Sequence, residues 1–136
     1  DSAALAIMLD MGHKTVADWE LVRYSQGVVR HRFYPPDVNT NQEMTPAELA
    51  RMFVIGQAAK LVSATEAASK SDNATYQAAQ QKRRDGATQA LSGVAEAAAF
   101  LADPIHANGR ALAQAIAETD LSGSVGGLLP ESSSYK

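Results

Sequence analysis

Thr45, Pro46, Ala47 and Glu48 form the stretch that most constrains how this chain folds. The Thr45 hydroxyl can accept from a first-turn amide, Pro46 loses nothing where an N–H has no helical partner, and Glu48 completes a Thr-x-x-Glu capping box. A helix therefore starts here. Over residues 47–62 the strongly polar side chains are Glu48, Arg51, Gln57 and Lys60, while Leu49, Met52, Phe53, Val54, Ile55, Leu61 and Val62 spread around most of the circumference. A helix this apolar needs neighbours on more than one side. It is read as the packing axis between the amino-terminal and carboxy-terminal parts of the chain.

Upstream, residues 18–24 (DWELVRY) and 28–34 (VVRHRFY) are rich in β-branched and aromatic residues and flank Ser25, Gln26 and Gly27. That pattern predicts a β-hairpin with Trp19 opposite Phe33 and Leu21 opposite His31 on an apolar face, and Glu20 opposite Arg32 on a charged one. A two-stranded hairpin alone is marginal. The apolar run at residues 1–11 is therefore assigned as a third strand, with Leu5, Ile7 and Leu9 on the core face. Pro35 and Pro36 end the sheet, since proline cannot donate to a ladder.

Downstream, Ser71, Asp72 and Asn73 mark a break and a new helix cap. Residues 74–84 (ATYQAAQQKRR) read as a solvated helix, which Asp85 and Gly86 end or weaken. Leu91, Val94, Ala95, Ala98 and Leu101 then form a narrow seam at helical spacing, and Asp103-Pro104 restarts the chain into a second seam of Ile105, Gly109, Leu112 and Ile116. The fold class expected is α+β. A three-stranded antiparallel meander within residues 3–34 packs on the central helix, followed by two or three alanine-rich helices reaching residue 119. These make one domain over residues 1–121, and the Gly- and Ser-rich residues 122–136 form a flexible C-terminal arm.

The 136 residues are enough for one core without staples. With no cysteine, disulfides, thiolate metal sites and a cysteine nucleophile are excluded. Twelve Lys and Arg against 15 Asp and Glu give a formal charge of −3, which argues against a general nucleic-acid coat or a membrane-surface protein. No apolar run reaches the length of a membrane span. The chain begins at Asp1, not Met, as a processed or trimmed product would, so secretion of a longer precursor stays open beside an intracellular or virion-associated setting.

Three antiparallel strands followed by a helix, with Asp10 closing the first strand and Glu48 one turn into the helix, resemble the opening of the ribonuclease H fold. The resemblance implies a two-metal nuclease in which clustered carboxylates hold Mg²⁺, with Asp72 as the third ligand. It covers the first half of the chain only: the segment before Asp72 (TEAASKS) is no buried strand, and no later βα units follow. The run from Asp10 through Gly12 to Thr15 is similar to the first phosphate loop of sugar kinases and actin-like ATPases, but a second phosphate motif is missing.

Of the three histidines, His13, His31 and His106, none has a neighbour at metal-binding spacing. No serine lies in a nucleophile motif. Arg30 and Arg32, with Tyr24 and Tyr34 on the same hairpin face, suit phosphate contacts and base stacking, although Glu20 opposite Arg32 dilutes that field. Lys82, Arg83 and Arg84 read as a solvated helix face. Phe100, opposite Leu91 on its helix, and Leu128 and Leu129 in the arm are candidate contacts with another chain. The function expected is a non-catalytic assembly protein without cofactor or metal. It would self-associate or join other protein subunits as a small component of a larger complex such as a virus particle or secretion machine. A nucleic-acid-binding module and the ribonuclease H-like nuclease are the alternatives.

Overall fold

The computed structural model describes residues 2–13, 19–26, 36–40 and 42–135. Helices account for 69% of the chain and no sheet forms among the described residues, so the α+β meander is overturned. The fold is helical.

The first apolar run is helix α1 (Ser2–Asp10). Alanine, leucine and methionine dominate it and Ile7 is its one β-branched residue, a composition that favours helix over strand. Its end is a full Schellman motif: the Gly12 N–H donates to the Leu9 carbonyl at 3.0 Å and the His13 N–H to the Met8 carbonyl at 2.9 Å. Gly12 has φ +83°, the left-handed conformation that this motif requires and that other residues rarely adopt. The glycine taken for a phosphate-loop turn is therefore a helix stop.

The expected first strand of the hairpin contains helix α2 (Leu21–Ser25). Glu20 decides this locally, because its carboxylate accepts from the Val22 N–H at 3.0 Å and the Arg23 N–H at 2.8 Å. A side chain that satisfies first-turn amides offers the backbone an alternative to a ladder. Trp19 and Tyr24, expected to face strand partners, stack on each other with ring centroids 6.3 Å apart. The other arm of the hairpin, with Arg30, His31, Arg32, Phe33 and Tyr34, lies outside the described residues.

Helix α3 (Pro46–Ala68) starts with the capping box read from the sequence. The Thr45 N–H and hydroxyl donate to the Glu48 carboxylate at 2.8 and 2.9 Å, and the Glu48 N–H donates to the Thr45 hydroxyl at 3.3 Å. After a turn, Asn73 caps α4 (Ala74–Leu91), its side-chain oxygen accepting from the Tyr76 N–H at 2.9 Å. The helix runs straight through Asp85 and Gly86. It is no solvated rod either: Tyr76, Gln80, Ala87 and Leu91 are buried, chiefly along α3. Arg83 locks the pair, donating to Gln80 at 2.8 Å and to Ser63 of α3 at 3.0 Å.

A 3-10 turn at Ala95–Ala97 leads into α5 (Ala98–Ala102), and α6 (His106–Ala115) returns across α3. The segment expected as a mobile arm packs as well. It forms α7 (Ser122–Val125) and 3-10 turns at Gly126–Leu128 and Ser132–Ser134. Leu121 and Val125 are 2% and 1% exposed, and Leu129 and Tyr135 pack against the same core. That core gathers Val22, Phe53, Val54, Leu61, Val62, Leu91, Phe100, Leu112 and Ile116, so α3 has α2, α4, α6 and α7 around it. A smaller cluster joins Ala6 and Leu9 of α1 to Tyr76 of α4.

One substitution at two glycines should act with opposite signs. At Gly86 an added Cβ meets nothing within 4 Å, so Gly86→Ala should stabilise the fold by about 0.5–1 kcal/mol through helix propensity. At Gly56 it would lie 2.8 Å from the Cβ of Leu21, so Gly56→Ala should cost about 1–3 kcal/mol as α2 is pushed off α3. Chemical denaturation measures both. A pH effect arises at Asp120, whose carboxyl is held below the usual carboxylate range by the Ser122 hydroxyl and N–H, with the positive charge of Arg51 adding to them. A group whose pKa falls on folding stabilises the native state above its unfolded pKa, and that contribution fades as pH drops through the folded value. Asp120→Asn should therefore flatten the acid limb of a thermal-midpoint titration.

Candidate functional site

Asp10 and Glu48, two of the three carboxylates proposed for metal binding, have other partners and lie at opposite ends of α3. Asp10, at the end of α1, accepts from the Asn73 side-chain N–H at 2.5 Å, while the Asn73 oxygen caps α4. Glu48 serves the capping box at the opposite end of α3. From Glu48 to the last turn of α3 at Ala68 the rise of about 1.5 Å per residue amounts to about 30 Å. Asp72 is exposed in the turn beside Asn73. Among the described residues no three His, Asp or Glu side chains could hold a metal ion.

Of the nucleic-acid candidates only Tyr24 falls among the described residues. Arg30, Arg32 and Tyr34 lie outside the described residues, and Tyr24 is stacked on Trp19. Phe100, expected at a contact with another chain, is 1% exposed in the core. It sits under α6, with its ring 3.6 Å from the position a Gly109 Cβ would take. Leu128 is 52% exposed, and Leu129 is half-buried against the core.

Two apolar surfaces that the sequence did not single out do emerge. The first is a groove of about 440 Å³ between α3 and α6. Ile55, Ala59 and Val62 form its α3 wall, and Gly109, Leu112 and Ala113 its α6 wall. It exists because small residues at the crossing leave space that larger ones would fill. His106 and Arg110, one helical turn apart on α6, stand at its rim. His106 Nε2 lies 3.2 Å from a Glu66 carboxylate oxygen.

The second surface is the outer face of α1. Ala6 and Leu9 turn inward, leaving Ile7 at 62%, Met8 at 42% and Met11 at 83% exposure on the opposite side. These three stand at i, i+1 and i+4, a continuous apolar ridge. A helix apolar over most of its circumference normally has neighbours on more than one side.

The chain matches no family model, no curated protein and no solved structure. Its function must therefore be argued from these surfaces. Among the described residues no helix is long and apolar enough to cross a membrane.

Phe100 and Leu128 separate core from surface in a single measurement. Phe100→Ala should cost about 3–5 kcal/mol, as loss of a buried aromatic does. Leu128→Ala should stay within about 0.5 kcal/mol of wild type by urea denaturation.

Proposed function

We propose that the protein is a non-catalytic assembly protein that associates with further copies of itself, as a small component of a larger complex. The observation that carries this reading is the ridge of Ile7, Met8 and Met11 on α1. Exposed single apolar residues are ordinary, but adjoining ones opposite a side buried at Ala6 and Leu9 suit a contact surface. Methionine suits such a surface, since its unbranched side chain adapts to the partner it meets. The dispersal of Asp10 and Glu48 to opposite ends of α3 supports the non-catalytic part of the reading.

Wild-type protein should show a mass above that of the monomer by multi-angle light scattering at micromolar concentration. Ile7→Asp combined with Met11→Asp should return it to monomer with the helical circular-dichroism signal retained. Monomeric wild-type protein across the whole concentration range would refute self-association.

A further inference from the structure

We infer that the α1 ridge of one copy docks into the α3/α6 groove of the next, so that the chain assembles head to tail. This rests on the self-association reading and adds the receiving surface. A copy cannot fill its own groove, because the inner face of α1 is held on Tyr76 of α4 and Asp10 on Asn73, which directs the ridge away from the chain's own body.

Shape and charge agree with a helix as occupant. Ala58, Ala59, Gly109 and Ala113 give the groove small-residue walls that a helix can approach closely. A helix-in-groove contact uses apolar anchors spaced three and four residues apart, and Met11 stands three residues from Met8 and four from Ile7. The ridge itself is uncharged; the one charge over residues 2–12 is the exposed carboxylate of Asp10, which flanks Ile7 three residues on and accepts from Asn73. A carboxylate at the C-terminal end of a helix also faces the negative end of the dipole, so an incoming cation relieves it. The groove rim offers Arg110, which is exposed and makes no hydrogen bond or ion pair among the described residues, while His106 beside it faces the Glu66 carboxylate.

A two-fold pairing of α1 with α1 would leave the groove open to water. Head-to-tail docking covers both apolar surfaces in one contact and brings unlike charges together. Its geometric consequence is a heterologous interface, which closes into a ring or propagates as a filament.

Complementary blocking variants test this. Ile7→Glu with Met11→Glu blocks the ridge, and Ile55→Glu with Ala59→Glu blocks the groove at residues whose side chains face solvent. Each variant alone should be a folded monomer by circular dichroism and light scattering. Mixed in equal amounts they should form a one-to-one dimer and nothing larger, because one intact ridge and one intact groove remain. If the groove variant assembles like wild type while the ridge variant does not, self-association holds and the groove is not its receiver. If both variants are monomeric alone but stay so on mixing, head-to-tail docking is overturned. Monomeric wild-type protein would overturn both readings.

Discussion

Helices α3 and α4, reversing over the turn at residues 69–73, make the hairpin whose surfaces α1, α2, α6 and α7 join. The turn is bound tightly for this. The Gln77 side chain donates to the carbonyls of Ala68 and Ser71, tying the first turn of α4 to the end of α3. Further along, Arg83 reaches Ser63, and Leu91 brings the end of α4 into the core beside Phe53 and Val54. The hairpin is contacted from both sides. α6 and α7 pack on α3, while α1 packs on α4.

The amino-terminal elements attach by local polar contacts as much as by apolar area. Asp10 holds Asn73, and Asn73 caps α4, so the junction of α1 and α4 runs through a helix start. On the other side Arg51 of α3 donates to the Thr119 carbonyl at 3.2 Å, which ties the chain entering α7 to the central helix. These bonds set the direction of the joining segments. The burial of Leu9 and Tyr76 at one end, and of Leu121 and Val125 at the other, then supplies the hydrophobic gain.

Legible in the sequence was whatever short-range chemistry specifies uniquely. The capping box at Thr45 and Glu48, the cap at Asn73 and the need of α3 for several neighbours all come from residues within a few positions of one another. The sheet failed where the same residue types serve two structures. Glu20 suits a cross-strand pair with Arg32 and equally an N-terminal cap, and the capping contact forms within three residues. Gly12 is a turn residue after a strand and a Schellman glycine after a helix. Given a hairpin, the alanine-rich first segment becomes a strand by consistency with it and against its own propensity. The groove was illegible for another reason, since its walls come from segments about fifty residues apart that only the crossing of α6 over α3 brings together. Phe100 went astray because its helix angle relative to Leu91 assumes one continuous helix. The turn at Ser92 and Gly93, followed by the 3-10 segment, rotates it inward.

The alanine content of α3 and α6 also has an entropic side. A buried or contacted alanine has no rotamers to lose, whereas a methionine loses about 1.5–2 kcal/mol of side-chain freedom. The groove walls contributed by Ala58, Ala59, Gly109 and Ala113 therefore keep one shape whether filled or empty, and they need no reordering when a partner arrives. In the proposed head-to-tail contact, much of the cost of ordering would fall on the long side chains Met8 and Met11 of the ridge and Arg110 of the rim. A rigid receptor surface would then face an adaptable ridge, with shape specified on one side and tolerance on the other.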